Sequence, residues 1–316
     1  VLVSVYLKGK LGGLLGHRLL NATALASLVG SIVVSVLFAT DSRELLGVSV
    51  WEKPLKFLIS ATFYATTFSW LYTLIEKGKG LASKMGNVIA IMLIVELVVI
   101  VGMASVGSTS HFNVSTPFNI TIWSLMATAI SIVWVATFLL STGLWNSQRM
   151  SADLRLAIRW SIGLGLAGMG IAFTMTPPQP QQVLPENWAG VAGAHTVGAA
   201  DGGPGLPFLG WSTQAGDLRI SHFLGLHALQ VLPLIAVVVS IGVANYFVRR
   251  AIIIGSAVAY ALLIAFTYVQ ALLGETIVQP ITLIFLGIIL VVGMLSTGFS
   301  LFRSRRDVPL KTGAKW

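Results

Sequence analysis

Eight runs of mostly apolar residues constrain this chain more than any other feature: Leu19–Ala39, Pro54–Ile75, Asn87–Val106, Asn119–Gly143, Ala157–Met175, His222–Tyr246, Ala251–Leu272 and Ile281–Leu301. Each approaches the ~20 residues that carry a helix across the hydrocarbon of a bilayer. In lipid the backbone N–H and C=O groups have to pair within the segment, so runs of this kind are expected as helices. Composition points the same way. Only 10% of the 316 residues are charged while 55% are hydrophobic, which leaves too little polar surface to coat a water-soluble globule. The expected fold is an all-α integral membrane protein, a bundle of about eight transmembrane helices in a lipid bilayer. A soluble enzyme and a nucleic-acid-binding domain are excluded as readings of the whole chain.

The basic residues fix an expected orientation. Lys8, Lys10, Arg18, Lys77, Lys79, Lys84, Arg149, Arg155, Arg159, Arg249, Arg250, Arg303, Arg305, Arg306, Lys311 and Lys315 fall on one side of an alternating eight-span path. The other side keeps Arg43, Lys53, Lys56 and Arg219. Cytoplasmic loops collect Lys and Arg, so both termini are expected in the cytoplasm. The same rule accounts for the net charge of +9 without a nucleic-acid partner.

On this path the chain divides into a cytoplasmic N-terminal segment (1–18), spans one to five (19–175), an outer connection (176–220), spans six to eight (221–302) and a basic cytoplasmic tail (303–316). The connection Thr176–Ile220 holds six of the eleven prolines and eight glycines. Loops of this length are commonly functional, and Trp188, Phe208 and Trp211 favour a folded cap over the outer mouth of the bundle. Within the spans, Gly163, Gly165, Gly168 and Gly170 are expected to admit a neighbouring backbone. Trp51 and Trp145 are expected in the interfacial aromatic belts.

With no cysteine in the chain, disulfides, thiolate-held zinc and iron–sulfur clusters are excluded. Histidine is the remaining strong ligand. Four of the five histidines, His111, His195, His222 and His227, map to the outer half, where residues from different spans share one depth. His222 and His227 are five positions apart, about 140° around a helix, so they do not chelate one metal as a pair. A joint site therefore takes one of them with His111 or His195. Each is equally readable as an interfacial hydrogen-bonding residue.

Two other features stand out. Glu96 sits near the middle of span three among apolar neighbours. A carboxylate there is expensive, so it reads as a proton-relay group or a protonated packing residue, with Tyr64, Thr66, Thr67, Thr128, Ser131 and Tyr260 at matching depth. Trp51-Glu52-Lys53-Pro54-Leu55-Lys56-Phe57 opens span two, with Glu52 and Lys56 spaced as a favourable helix ion pair. Lys53, Lys56 and Arg219 offer cations at the outer rim, suited to an anionic group.

The segments Trp-Glu-Lys-Pro-Leu-Lys-Phe, Ser-His-Phe-Asn and His-Phe-Leu-Gly-Leu-His resemble those of multispan bacterial membrane proteins to which no activity is assigned. The resemblance touches three short stretches and implies a bacterial inner-membrane setting, with no mechanism attached.

The leading functional expectation is an outer-facing site for haem b or a transition metal in electron transfer. His111 with His227 or His222 would supply the ligands, with Phe112, Phe118 and Phe223 along a flat cofactor. Lys53, Lys56 and Arg219 would meet its acidic edge. A zinc or copper centre would add His195 or Asp217. A quinone or other redox partner, and a homo-oligomer, accompany that reading. The alternative is a proton-coupled transporter with Glu96 as coupling group, and a third is an accessory subunit of a membrane complex.

Overall fold

The structure is a computed structural model and describes residues 16–184, 186, 188–282, 284 and 287. Seven long helices run through these residues: α1 (Arg18–Thr40), α2 (Glu52–Thr73), α3 (Lys79–Ser105), α4 (Pro117–Thr142), α5 (Ala152–Ile171), α6 (Leu218–Gly242) and α7 (Tyr246–Leu272). Six of them, all but α2, are long and apolar enough to cross a membrane, which makes this a multi-pass membrane protein. The eighth apolar run, Ile281–Leu301, lies almost wholly outside the described residues, as do residues 1–15 and the basic tail.

The helices begin earlier than the apolar runs that announced them, because polar caps and basic residues occupy their first turns. Thr116 caps α4 by accepting from Asn119 N at 3.2 Å, with Pro117 at the position where its missing N–H costs nothing. Ser151, Asp217 and Asn245 cap α5, α6 and α7 in the same way. For α1 the cap is the fifth histidine, His17, whose Nδ1 accepts from Leu20 N.

Composition explains the exception of α2, which carries Glu52, Lys53, Lys56 and a run of Ser, Thr and Tyr. It packs between α1 and α3, with Ala65 and Phe68 fully buried and Phe57, Ile59 and Phe63 exposed. On α1, Leu25, Leu28, Val29, Ile32, Val33 and Val36 stay exposed along its length. A stripe of that extent is a lipid-facing surface.

One core runs from α1 to α6, through Leu20, Phe68, Ile89, Val133, Ile158 and Leu229. Two of the four span-five glycines serve the close packing expected of them. A Cβ on Gly168 would fall 2.5 Å from Gly225 Cα, and one on Gly165 would fall 3.1 Å from Leu229 Cδ1. Gly163 and Gly170 have open space instead. Pro233 lies buried inside α6.

The segment between α5 and α6 is tied down by backbone hydrogen bonds. Thr196–Val197 pairs antiparallel with Gly216–Asp217. Val114 N donates to Gly190 O at 2.8 Å, Ala192 N to Phe112 O at 2.9 Å and Ala194 N to Met175 O at 3.0 Å. The segment thus covers the α3–α4 connection and the ends of α5 and α6; this is called the cap end below. Arg18, Lys77, Lys79, Lys84, Arg149, Arg155, Arg159, Arg249 and Arg250 gather at the opposite end, while Arg43, Lys53, Lys56 and Arg219 stay at the cap end. The two tryptophans behave differently. Trp145 is 51% exposed, whereas Trp51 is buried and donates through Nε1 to Asp41 at 2.8 Å.

Candidate functional site

The cap-end residues sort by the chemistry of their partners. Lys53, in the first turn of α2, places Nζ 2.9 Å from His111 Nδ1, and Ser110 Oγ lies 3.0 Å from the same nitrogen. An ammonium has protons to give and no lone pair. While Lys53 is charged, His111 Nδ1 is therefore the acceptor, and its proton sits on Nε2. In that tautomer neither nitrogen offers a lone pair to a metal. Phe57, Phe112 and Trp123 surround the ring at 5.9, 6.1 and 5.4 Å.

His195 has the reverse arrangement. Asp201 Oδ2 is 2.6 Å from its Nδ1, and a carboxylate only accepts, so Nδ1 carries the proton and Nε2 keeps a lone pair. Asp201 also accepts from His195 N, Thr196 N and Thr196 Oγ1. His222 follows the same logic, because its Nδ1 lies 2.7 Å from Gly168 O, a carbonyl that only accepts. That contact depends on the Gly168–Gly225 approach, which draws α5 and α6 together.

Electrostatics joins these groups. Burial drives His111 well below the ordinary imidazole range, with the charges of Lys53 and His195 pushing the same way. Burial lowers His195 as well, opposed by its hydrogen bond and charge interaction with Asp201. For Asp201, burial alone would raise the carboxyl, but the bonds from His195 and Thr196 hold it well below the usual carboxylate range. Burial acts most strongly on the Lys53 charge, ahead of the charges of Glu96, Asp201, Arg219 and Lys56.

Glu96 is 5% exposed, and among the described residues no hydrogen bond reaches its carboxyl. Four of the six polar groups expected at its depth are engaged elsewhere. Tyr64 OH meets Thr137 Oγ1 at 2.5 Å, Thr67 Oγ1 receives Gln230 Nε2 at 2.9 Å, and Tyr260 OH donates to Leu224 O at 2.8 Å. Ser131 Oγ turns back to Ala127 O. Lys53 is instead the charged group that acts on Glu96.

The remaining residues are committed to holding the cap. Lys56 Nζ binds Glu52 Oε1 at 2.7 Å, the expected pair, and also donates to Leu209 O at 3.2 Å. Asp217, 2% exposed, accepts from Ser212 N at 2.8 Å, from Arg219 N and from the Arg219 guanidinium at 2.6 Å. Arg219 Nη2 donates onward to Gly210 O at 2.5 Å. Asp217 thus has both oxygens occupied by protein donors. His227 packs against Phe223 with tilted rings 4.1 Å apart, and Gln230 lies beside it.

Phe112 adds strain to the centre of this cluster. Its φ is +64°, a conformation that costs a bulky residue energy. It is held there by the Ala192 hydrogen bond and by packing on Trp123 at 5.1 Å and His195 at 4.9 Å.

In sequence Lys53, His111 and His195 fall on one side, but nothing there pairs Lys53 with His111 or Asp201 with His195. The Asp201-Gly-Gly turn carried the only local signal. Gly168 O has none, because a backbone carbonyl is invisible to residue type. Among the described residues no three His, Cys, Asp or Glu side chains converge as a metal site. Compared with known proteins, the chain matches no family model, no curated protein and no solved structure.

Proposed function

We propose that this protein is a proton-coupled membrane carrier, with Glu96 as the coupling carboxylate. In this reading Lys53, His111 and the His195–Asp201 pair pass its proton between the bundle interior and the cap. The observation that carries it is Lys53, which hydrogen-bonds His111 while feeling the charge of both Glu96 and Asp201. A carboxylate among apolar residues whose one cation in electrostatic reach, among the described residues, is Lys53 is poised to gain and lose a proton when that cation moves. The basic residues gathered at the opposite end support, through the positive-inside rule, a reading in which the cap lies outside and that end in the cytoplasm of a bacterial inner membrane.

The test is flux in proteoliposomes with a trapped pH dye, challenged with panels of amino acids, organic anions and divalent cations. Wild-type vesicles acidify or alkalinise with at least one panel member, and Glu96→Gln vesicles do not. Equal pH responses from the two proteins would overturn the reading.

A second reading rests on a different observation. His195 and His222 each have Nδ1–H held by an acceptor, and among the described residues nothing bonds their Nε2, the arrangement of imidazoles that ligate haem or a transition metal. The tautomer of His111 does not fit a ligand role, so that reading moves the ligands to His195 and His222. A Soret band that His222→Ala abolishes would favour it; a colourless, metal-free preparation would count against it.

A further inference from the structure

The end of the bundle opposite the cap holds a cavity of about 280 Å³, walled by Arg155, Arg159 and Arg250 with Asn146, Gln148 and Leu156. Arg155 and Arg159 lie in the first two turns of α5, and Arg250 in the second turn of α7. Helix N-termini carry partial positive charge, so cations there are disfavoured. Nearby Arg249 is offset by Asp153, at 2.6 Å. The three cavity arginines have no such partner, since among the described residues no carboxylate lies within ion-pair distance of them.

Their existing bonds aim them and leave donors free. Arg155 Nη1 donates to Ser147 O at 2.8 Å and to Gln148 Oε1 at 3.0 Å. Arg159 Nε donates to Trp145 O at 2.9 Å while its guanidinium sits 5.1 Å from the Trp145 ring centre. Arg250 Nη1 donates to Tyr246 OH at 3.0 Å. Each guanidinium is anchored through one edge to a neutral oxygen, and Arg155 Nη2, Arg159 Nη1 and Arg250 Nη2 have no acceptor among the described residues. Three like charges at two helix N-termini around one cavity are mutually repulsive, and an anion seated between them would relieve that repulsion. Trp145, half exposed, marks the depth of the membrane interface, where phosphate headgroups lie.

We infer that this cavity binds a phosphate anion, supplied by the headgroup of an anionic phospholipid. Guanidinium forks match phosphate oxygens in pairs, which a lysine cluster would not do. A lipid held there would bridge the N-termini of α5 and α7 and fix their spacing.

The test uses the full chain in nanodiscs of phosphatidylcholine with and without phosphatidylglycerol, with co-purifying lipid counted by native mass spectrometry. Wild type should retain phosphatidylglycerol in preference to phosphatidylcholine. R155Q/R159Q/R250Q should lose that preference by roughly tenfold or more, and the triple lysine variant should lose part of it. R43Q, at the cap end, should retain it fully. Melting of each variant in pure phosphatidylcholine checks folding, and single R250Q replaces the triple variant if the latter does not fold. Inorganic phosphate is the second arm. Displacement of lipid by millimolar phosphate, with a rise in wild-type melting temperature, would identify the anion as soluble phosphate at the same site. Equal retention of both lipids by wild type, with no response to phosphate, would overturn the inference, as would unchanged preference in the arginine variants.

Discussion

Lys53 Nζ and His111 Nδ1 lie 2.9 Å apart, so the first turn of α2 supplies a cation to a ring on the α3–α4 connection, 58 positions later in sequence. The contact sets the tautomer of His111, because the ammonium donates and the ring nitrogen accepts.

Replacing Lys53 by Met should therefore change the ring as well as the charge. In ¹⁵N spectra of wild type, His111 is expected as the Nε2–H tautomer. Lys53→Met removes the donor and frees Nδ1 to take the proton and bond Ser110 Oγ. Unchanged His111 shifts would separate the tautomer from Lys53.

The pH dependence of the cap follows from His111 and His195, both lowered from the ordinary imidazole value of 6.5. A histidine whose folded pKa lies below its unfolded value binds protons more readily when unfolded. Its contribution to stability is whole above 6.5 and is lost as pH falls below it. Asp201, held low, adds a loss only at still lower pH, beneath its ordinary 3.8. Hydrogen exchange at Ala192, Ala194 and Leu218 amides, corrected for the intrinsic pH effect, should quicken between pH ~7.5 and ~5.5. His195→Gln should remove about one proton's share of that slope.

Asp217 joins three functions in one side chain: it caps α6, receives the Arg219 guanidinium and satisfies Ser212 N. Asp217→Ala deletes the cap and leaves a buried N–H unpaired, an expected cost of about 2–4 kcal/mol. Thermal unfolding in detergent should register it. Asn, which keeps an acceptor, should recover part of the loss.

Gly168 and Gly225 meet backbone to backbone. Gly168→Ala would force α5 from α6, with an expected cost of about 1–3 kcal/mol. It should also lengthen the His222–Gly168 hydrogen bond, visible as a change in the His222 Nδ1–H resonance. Gly170→Ala, with open space around the site, should melt like wild type.

The helices were legible because hydrocarbon thickness is a one-dimensional constraint. A run such as Leu19–Ala39 reports its own fate, and the structure gives Arg18–Thr40. Among the seven described helices the ends were displaced, where Lys79 or Ala152 begins a helix before the apolar run does, and α2 is less apolar than a spanning helix. The site was legible in kind but not in pairing. His111, His195 and Lys53 stood on one side in sequence. Whether a nitrogen faces a cation, a carboxylate or a carbonyl depends on approaches of a few ångströms between segments far apart in the chain.

What the sequence determined by itself is the material: long apolar helices that require a bilayer, basic residues sorted to one end, and polar side chains concentrated at the other. Tertiary structure alone decided that Lys53 meets His111, that Asp201 orients His195 and that Glu96 is left with Lys53 as its charged neighbour. The physical reason is range. Transfer into lipid is summed along a single helix, whereas hydrogen bonds and proton affinities are fixed by the few atoms that neighbouring helices and the cap bring within reach.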